Sequence, residues 1–268
     1  MALKDITLGQ YFPGDTIIHR MDPRTKLLLT ILYIVALFLA EFLVTYAILL
    51  VVLAVWVAIS KVKLKSILRG MKPILLILIF TGLLNIFYTP GEPLWQWGFL
   101  RITAEGLWAA FFMVLRILML ITCTFLLTYT TSPILLTDGL ERLLSPLKKL
   151  HVPVHELSMM MSIALRFIPT LIEETDKIMS AQKARGADFD TGNLMEKAKA
   201  LVPLLVPLFI SAFRRADELA IAMECRCYHG GEGRTRLKEL HFRSYDIAAL
   251  CLGLILCVVI GVMGHFGL

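Results

Sequence analysis

The chain has 268 residues, 57% of them hydrophobic, with a net charge of +6 and a mean hydropathy of +0.75. That is more apolar surface than a soluble domain of this length buries, and it comes in blocks, which points to membrane spans rather than one large core. The basic balance is explained by Lys and Arg gathered on one side of a membrane, and the absence of aromatic-and-basic tracts sets nucleic acid aside as a partner.

The opening stretch, MALKDITLGQYFPGDTIIHRMDPRTKLLL, has no apolar run near its start and no cleavage-like site, so it does not read as a signal peptide. Five spans are expected, at about 26–40, 42–59, 73–88, 107–129 and 247–266. The first two are separated by little more than Glu41 and should form a tight hairpin. Lys4, Arg20, Arg24 and Lys26 precede the first span, and Lys61, Lys63, Lys65, Arg69 and Lys72 lie between the second and third. Arg101 alone separates the third from the fourth. This asymmetry places the N-terminus in the cytoplasm of a cell, on the inner face of its plasma membrane, and an odd number of spans puts the C-terminus outside.

The chain therefore divides into 1–129 (an N-terminal segment and four spans), 130–243 (a cytoplasmic helical domain) and 244–268 (the last span). The fold class is an all-α integral membrane protein. Ser132-Pro133 is a good N-cap and N1 pair. A long helix follows, with apolar residues at Leu157, Met161, Ala164, Ile168, Leu171 and Ile178, a kink expected at Pro169 and an end at Gly186. A third helix, from about Asn193 to Tyr228, should bend at Pro203 and Pro207 and end at Gly230 and Gly231. Its first half, ALVPLLVPLFISAF, is short for a span and is read as buried against the other spans or lying at the interface.

Two of these helix ends resemble each other. DKIMSAQKARG begins at Asp176 and DELAIAMECRC at Asp217, an offset that aligns Ile178 with Leu219, Ala181 with Ala222 and Arg185 with Arg226. An arginine there can simply complement the helix dipole. The small neighbours, Ala184 and Gly186 or Cys225 and Cys227, also let another surface come close, and a guanidinium is a planar fork of donors for a carboxylate or for carbonyls.

On HRMDPRTKL before the first span, AQKARGADF and AMECRCYHGGEGRTRL, the chain resembles the transmembrane T components of energy-coupling factor (ECF) transporters, a type of ATP-binding cassette importer. That family carries two Ala-Arg-Gly motifs at the ends of long coupling helices. Ala184-Arg185-Gly186 matches the first, and Cys225-Arg226-Cys227 stands at the second. The resemblance implies a scaffold that binds two cytoplasmic ATPase subunits through these six residues. It also implies a separate small membrane subunit that captures a vitamin or metal ion, with ATP and Mg held by the ATPases and no cofactor on this chain. No G-x-x-x-x-G-K-[ST] loop is present, which agrees with a non-catalytic subunit.

The remaining candidates are weaker. Arg116 inside an apolar block is either a contact with a partner or an ion pair in the bundle, or it reaches the outer interface. Met159-Met160-Met161 could be a pliable surface for exchanging partners but reads rather as core, and Glu173, Glu174 and Asp176 read as a solvated face. Cys225-x-Cys227-x-His229 fits no standard zinc spacing, so no metal site is expected, and the odd count of five cysteines implies no disulfide framework. No arrangement of acids or Ser and His suggests a catalytic site. Two other classes stay open: a self-contained secondary transporter, which should show repeated halves, and an integral-membrane enzyme, which should show polar clusters within spans.

Overall fold

The computed structural model describes residues 11–90, 93–97, 100–150, 152–187, 189, 193–230 and 240–266. The chain is helical almost throughout, as the composition requires in lipid, where every backbone donor must find its acceptor within the segment. Among the described residues the one exception is an antiparallel hairpin of two short strands, β1 (Pro93–Trp97) and β2 (Leu100–Thr103). The chain divides into two compact units, one comprising Gly9–Gly139 and Leu240–Leu268, the other built on Leu140–Glu239.

The first unit opens with a single turn, α1 (Ile17–Arg20), followed by α2 (Pro23–Leu39), α3 (Leu43–Ser60), α4 (Leu64–Tyr88), α5 (Ala104–Thr130) and, after Leu240, α9 (Ser244–Phe266). The helices α3, α4, α5 and α9 are each long and apolar enough to cross a membrane. The first expected span, α2, has 17 residues and falls just short of that length. The third is longer than expected. Helix α4 starts at Leu64 and runs through Pro73, so Lys65, Arg69 and Lys72 lie on a helix and not in a loop.

Small residues set the helix spacing. Between lipid-embedded helices there is little hydrophobic driving force, so close backbone approach and interhelical hydrogen bonds hold the bundle. A Cβ on Gly253 of α9 would stand 2.6 Å from Leu29 of α2, and one on Gly264 would stand 3.2 Å from the Leu39 carbonyl. In the same way Gly70 of α4 accepts Phe125 and Tyr129 of α5, and Gly82 accepts Val114. The core between these pairs is Tyr33, Leu37, Tyr46, Leu49, Met119, Cys123 and Ile260. The Tyr33 hydroxyl donates to the Leu49 carbonyl at 3.1 Å. The hydroxyls of Thr30, Thr122 and Thr130 donate back to the carbonyls four residues earlier, as helical threonines do when no water is at hand.

The stretch HRMDPRTKL bolts this unit together at one end. Asp22 is the N-cap of α2 and accepts from the Arg24 backbone N–H at 2.9 Å, with Pro23 at N1. The Arg24 guanidinium folds back onto Asp22 and donates to the Leu240 carbonyl at 2.9 Å while lying 4.0 Å over the Phe242 ring. Lys26 donates through Nζ to the carbonyls of His19 and Thr130 and to the Thr131 hydroxyl. Asp246 is fully buried; it accepts from the Asp22 N–H at 3.0 Å and from the Arg243 N–H at 2.9 Å. One carboxylate thereby ties the start of α2 to the start of α9.

Among the described residues Arg116 makes no ion pair, one of the alternatives the sequence leaves open, and bonds neutral groups instead. Its Nε donates to the Tyr46 hydroxyl at 2.8 Å and a terminal nitrogen donates to the Ala40 carbonyl at 3.1 Å. Ala40 is the C-cap of α2, so the guanidinium satisfies an orphan carbonyl at the negative end of a helix dipole.

Candidate functional site

The second unit holds the last part of α6 (Pro133–Leu144), a 3₁₀ stretch (Ser145–Leu150) and two helices, α7 (Val154–Ala184) and α8 (Leu194–Glu224). Both long helices pass through their prolines without interruption. Inside the unit, His155 at the start of α7 lies 3.1 Å from Glu141.

Helices α7 and α8 pack antiparallel. Glu174 bonds the Ser211 hydroxyl and takes an ion pair from Arg215 at 3.3 Å. Nearer the end of α7, the Gln182 side-chain amide donates to the Pro203 carbonyl at 3.3 Å. That carbonyl is free because Pro207, four residues on, has no N–H to offer it. Glu174 is therefore not part of a solvated face, as the sequence suggested, but a link between the two helices.

The two arginine-bearing ends are built alike. At the end of α7 the N–H of Gly186 donates to the Lys183 carbonyl and that of Ala187 to the Gln182 carbonyl, both at 3.0 Å. This is the pair of bonds of a Schellman motif, with Arg185 as C-cap and Gly186 in the left-handed region at φ +90°. At the end of α8 the N–H of Cys227 donates to the Glu224 carbonyl at 2.8 Å and that of Tyr228 to the Met223 carbonyl at 3.1 Å. The pattern is the same, with Arg226 as C-cap and Cys227 left-handed at φ +56°. Helix α8 thus ends at Glu224, before the expected stop at Tyr228 and Gly230. Of the expected end signals, Gly231 lies outside the described residues, as do Gly231–Leu237 of the quoted motif.

Ala184, Arg185, Gly186, Cys225, Arg226 and Cys227 are all exposed. Antiparallel packing sends the two ends to opposite extremities of the pair. The bonds from Glu174 to Ser211 and from Gln182 to Pro203 place Arg185 level with about residue 200 of α8, some 26 residues from Arg226. At about 1.5 Å per residue the arginines stand roughly 40 Å apart. They do not form one site but two.

The ends differ in their surroundings. The Arg226 end opens on a cleft of about 690 Å³ whose lining includes Met159, Ser162, Arg166, Arg226, Tyr228 and His229. Arg166 brings a second guanidinium to this end, a contribution invisible in sequence because it lies sixty residues away. Met160 and Met161 are 54% and 46% exposed within this chain, which corrects their reading as core. The apolar half of α8 is likewise uncovered: Val202, Val206, Phe209, Ile210 and Phe213 are all at least half exposed. Within this chain that stretch is largely uncovered, although Leu204 is buried. Among the described residues no three His, Cys, Asp or Glu side chains are grouped to hold a metal ion.

Residues 14–237 match the family described as CbiQ, cobalt transport protein. A protein of Clostridium kluyveri named energy-coupling factor transporter transmembrane protein EcfT is 57% identical, over 96% of this chain and 97% of its own length. The chain belongs to the EcfT family. Its similarity to the Ruminiclostridium cellulolyticum EcfT is 55% over 91% of this chain and 92% of that protein. To the Bacillus subtilis EcfT it is 49% over 96% and 98%. This EcfT family member is accordingly a transmembrane scaffold component of an energy-coupling factor transporter, a bacterial membrane protein with at least four helices able to span.

Proposed function

We propose that this chain couples two cytoplasmic ATP-binding cassette ATPase subunits to a separate, small membrane subunit that binds the transported vitamin or metal ion. One observation carries the reading: two exposed arginines, each the C-cap of a Schellman turn, stand at opposite ends of one antiparallel helix pair. Two like plugs roughly 40 Å apart suit two like sockets on two subunits. Each guanidinium would meet a carboxylate or a cluster of carbonyls in charge-assisted hydrogen bonds. The uncovered apolar face of α8, with Met160 and Met161, suits the substrate-binding subunit, since contiguous exposed apolar side chains mark interaction surfaces.

On this reading the piece at about 130–243 is the coupling domain, and this chain binds no cofactor and catalyses nothing. ATP and Mg belong to the ATPase partners. The charge asymmetry supports an N-terminus in the cytoplasm and a C-terminus outside, with α2 as the fifth span. At 17 residues α2 covers only about 25 Å of a roughly 30 Å hydrocarbon layer. Its last carbonyl would then lie below the membrane surface, where Arg116 supplies the donor that water cannot.

The test is Arg185→Ala, Arg226→Ala and the double variant, read by ATPase co-purification and by substrate uptake in the assembled transporter. Each single variant should weaken assembly about tenfold to a hundredfold, from bonds of about 1.5–3 kcal/mol apiece, and the double should nearly abolish it. A double variant that assembles and transports normally sinks the proposal. The orientation is tested separately by single cysteines in a cysteine-free background: a probe outside the cell should reach position 93 and not position 65.

A further inference from the structure

We propose that the α3–α4 elbow is a binding surface for the headgroups of anionic phospholipids. Lys61, Lys63, Lys65, Arg69 and Lys72 are all exposed. Among the described residues none of the five has a side-chain hydrogen bond or ion pair. No Asp or Glu occurs between Glu41 and Glu92, so nothing in the neighbouring sequence neutralises them. Lys61 sits at the left-handed C-cap of α3 and complements that helix's dipole. The other four have no such local explanation.

Lys65, Arg69 and Lys72 follow one another at spacings of four and three, and so line one face of α4. The opposite face is fixed: Ile67 is buried, Gly70 sits against Phe125 and Tyr129, and the Tyr129 hydroxyl donates to the Ser66 carbonyl at 3.4 Å. The cationic face is therefore held by packing on α5 before any ligand arrives. Leu64 and Leu68, 62% and 58% exposed, are interleaved with the cations, and Leu75, Leu76 and Ile77 follow directly.

This pattern favours lipid over a protein partner. With 25 residues, α4 is about 37 Å long and exceeds the roughly 30 Å hydrocarbon layer, so its first turns stand at headgroup level. A phospholipid presents the matching pair of chemistries there, a phosphate for the guanidinium and ammonium groups and acyl chain for the leucines. A run of Lys and Arg beside a span attracts anionic lipid in this way. The inference does not depend on the coupling function.

The test is native mass spectrometry of the detergent-purified full chain, titrated with phosphatidylglycerol or phosphatidylcholine. The wild type should retain phosphatidylglycerol in preference. The triple variant Lys65→Gln/Arg69→Gln/Lys72→Gln should weaken that retention about tenfold or more. A Lys65→Arg/Lys72→Arg variant should keep it, and so should Lys148→Gln/Lys149→Gln, which neutralises exposed lysines elsewhere. Melting temperatures of all variants show whether each is folded. Unchanged phosphatidylglycerol retention in a folded triple variant overturns the proposal. Displacement of the lipid by millimolar inorganic phosphate overturns it too, because the site would then be one for free anions. If the triple variant loses co-purifying protein subunits but not lipid, the elbow is a protein interface and the proposal fails.

Discussion

Cys227 occupies in the second helix end the place that Gly186 occupies in the first. Both are the residue after an arginine C-cap, and both are left-handed, at φ +56° and +90°. A glycine adopts that conformation freely, whereas a side chain costs about 1–2 kcal/mol there. Cys227→Gly should therefore tighten the end of α8, and Gly186→Ala should loosen the end of α7, each by about 1 kcal/mol. No neighbour lies within 4 Å of a Cβ at Gly186, so that cost is purely conformational. Hydrogen exchange at the Tyr228 and Ala187 amides reads the two effects. Slower exchange in Gly186→Ala would contradict the assigned turn.

Arginine and lysine should separate capping from docking. A lysine at position 185 or 226 carries the same charge to the helix dipole but lacks the planar fork. Arg185→Lys should leave the melting temperature of the isolated chain unchanged and still impair ATPase co-purification. Full assembly with lysine at both positions would mean that charge alone suffices.

Arg116→Leu should destabilise the first unit by about 2–3 kcal/mol, because the Ala40 carbonyl and the Tyr46 hydroxyl both lose their partner in a dry setting. Tyr46→Phe removes only one of these bonds and should cost about 1 kcal/mol. Thermal unfolding in detergent ranks the two variants, and a Tyr46→Phe loss as large as that of Arg116→Leu would refute the ranking.

Asp246→Ala should be among the most damaging single changes, at about 3 kcal/mol or more, since it strands the N–H groups of Asp22 and Arg243 in a fully buried site. Asp246→Asn keeps one acceptor and should recover part of the loss. Equal effects of the two variants would show that size, not hydrogen bonding, matters at this position.

His19 gives the N-terminal turn a pH dependence. Its Nε2 faces the Phe12 carbonyl at 3.1 Å and must donate. In the neutral ring Nδ1 is then free to accept from the Thr16 hydroxyl at 2.7 Å. Burial, foremost, holds its pKa below 6.5, and nearby Lys26 adds to the effect, against the opposing influence of the Phe12 carbonyl and Asp15. Because the folded state takes up the proton less readily than the unfolded one, the contribution is intact above pH 6.5 and is lost as pH falls below it. Amides of residues 17–21 should exchange faster at pH 5 than at pH 7.5 once the intrinsic rate is corrected. His19→Gln should remove the difference.

The features legible in the sequence are those decided within a few turns of chain. Blocks of apolar residues specify spanning helices because lipid leaves the backbone no other partner. Asp22-Pro23 specifies a helix start, and Gly186 a helix end, because each satisfies orphan backbone groups locally. The repeated Arg185 and Arg226 were visible for the same reason. What only the tertiary structure decided are relationships between distant positions. The antiparallel register of α7 and α8, which makes two sites of the two arginines, rests on Glu174 with Ser211 and Gln182 with Pro203. The role of Arg116 depends on a carbonyl 76 residues away, and that of Asp246 on an amide 224 residues away. Cys227 shows the boundary between the two. Its residue type argues against a left-handed turn, and the helix end adopts one nonetheless, because two cap hydrogen bonds outweigh the conformational cost of one side chain.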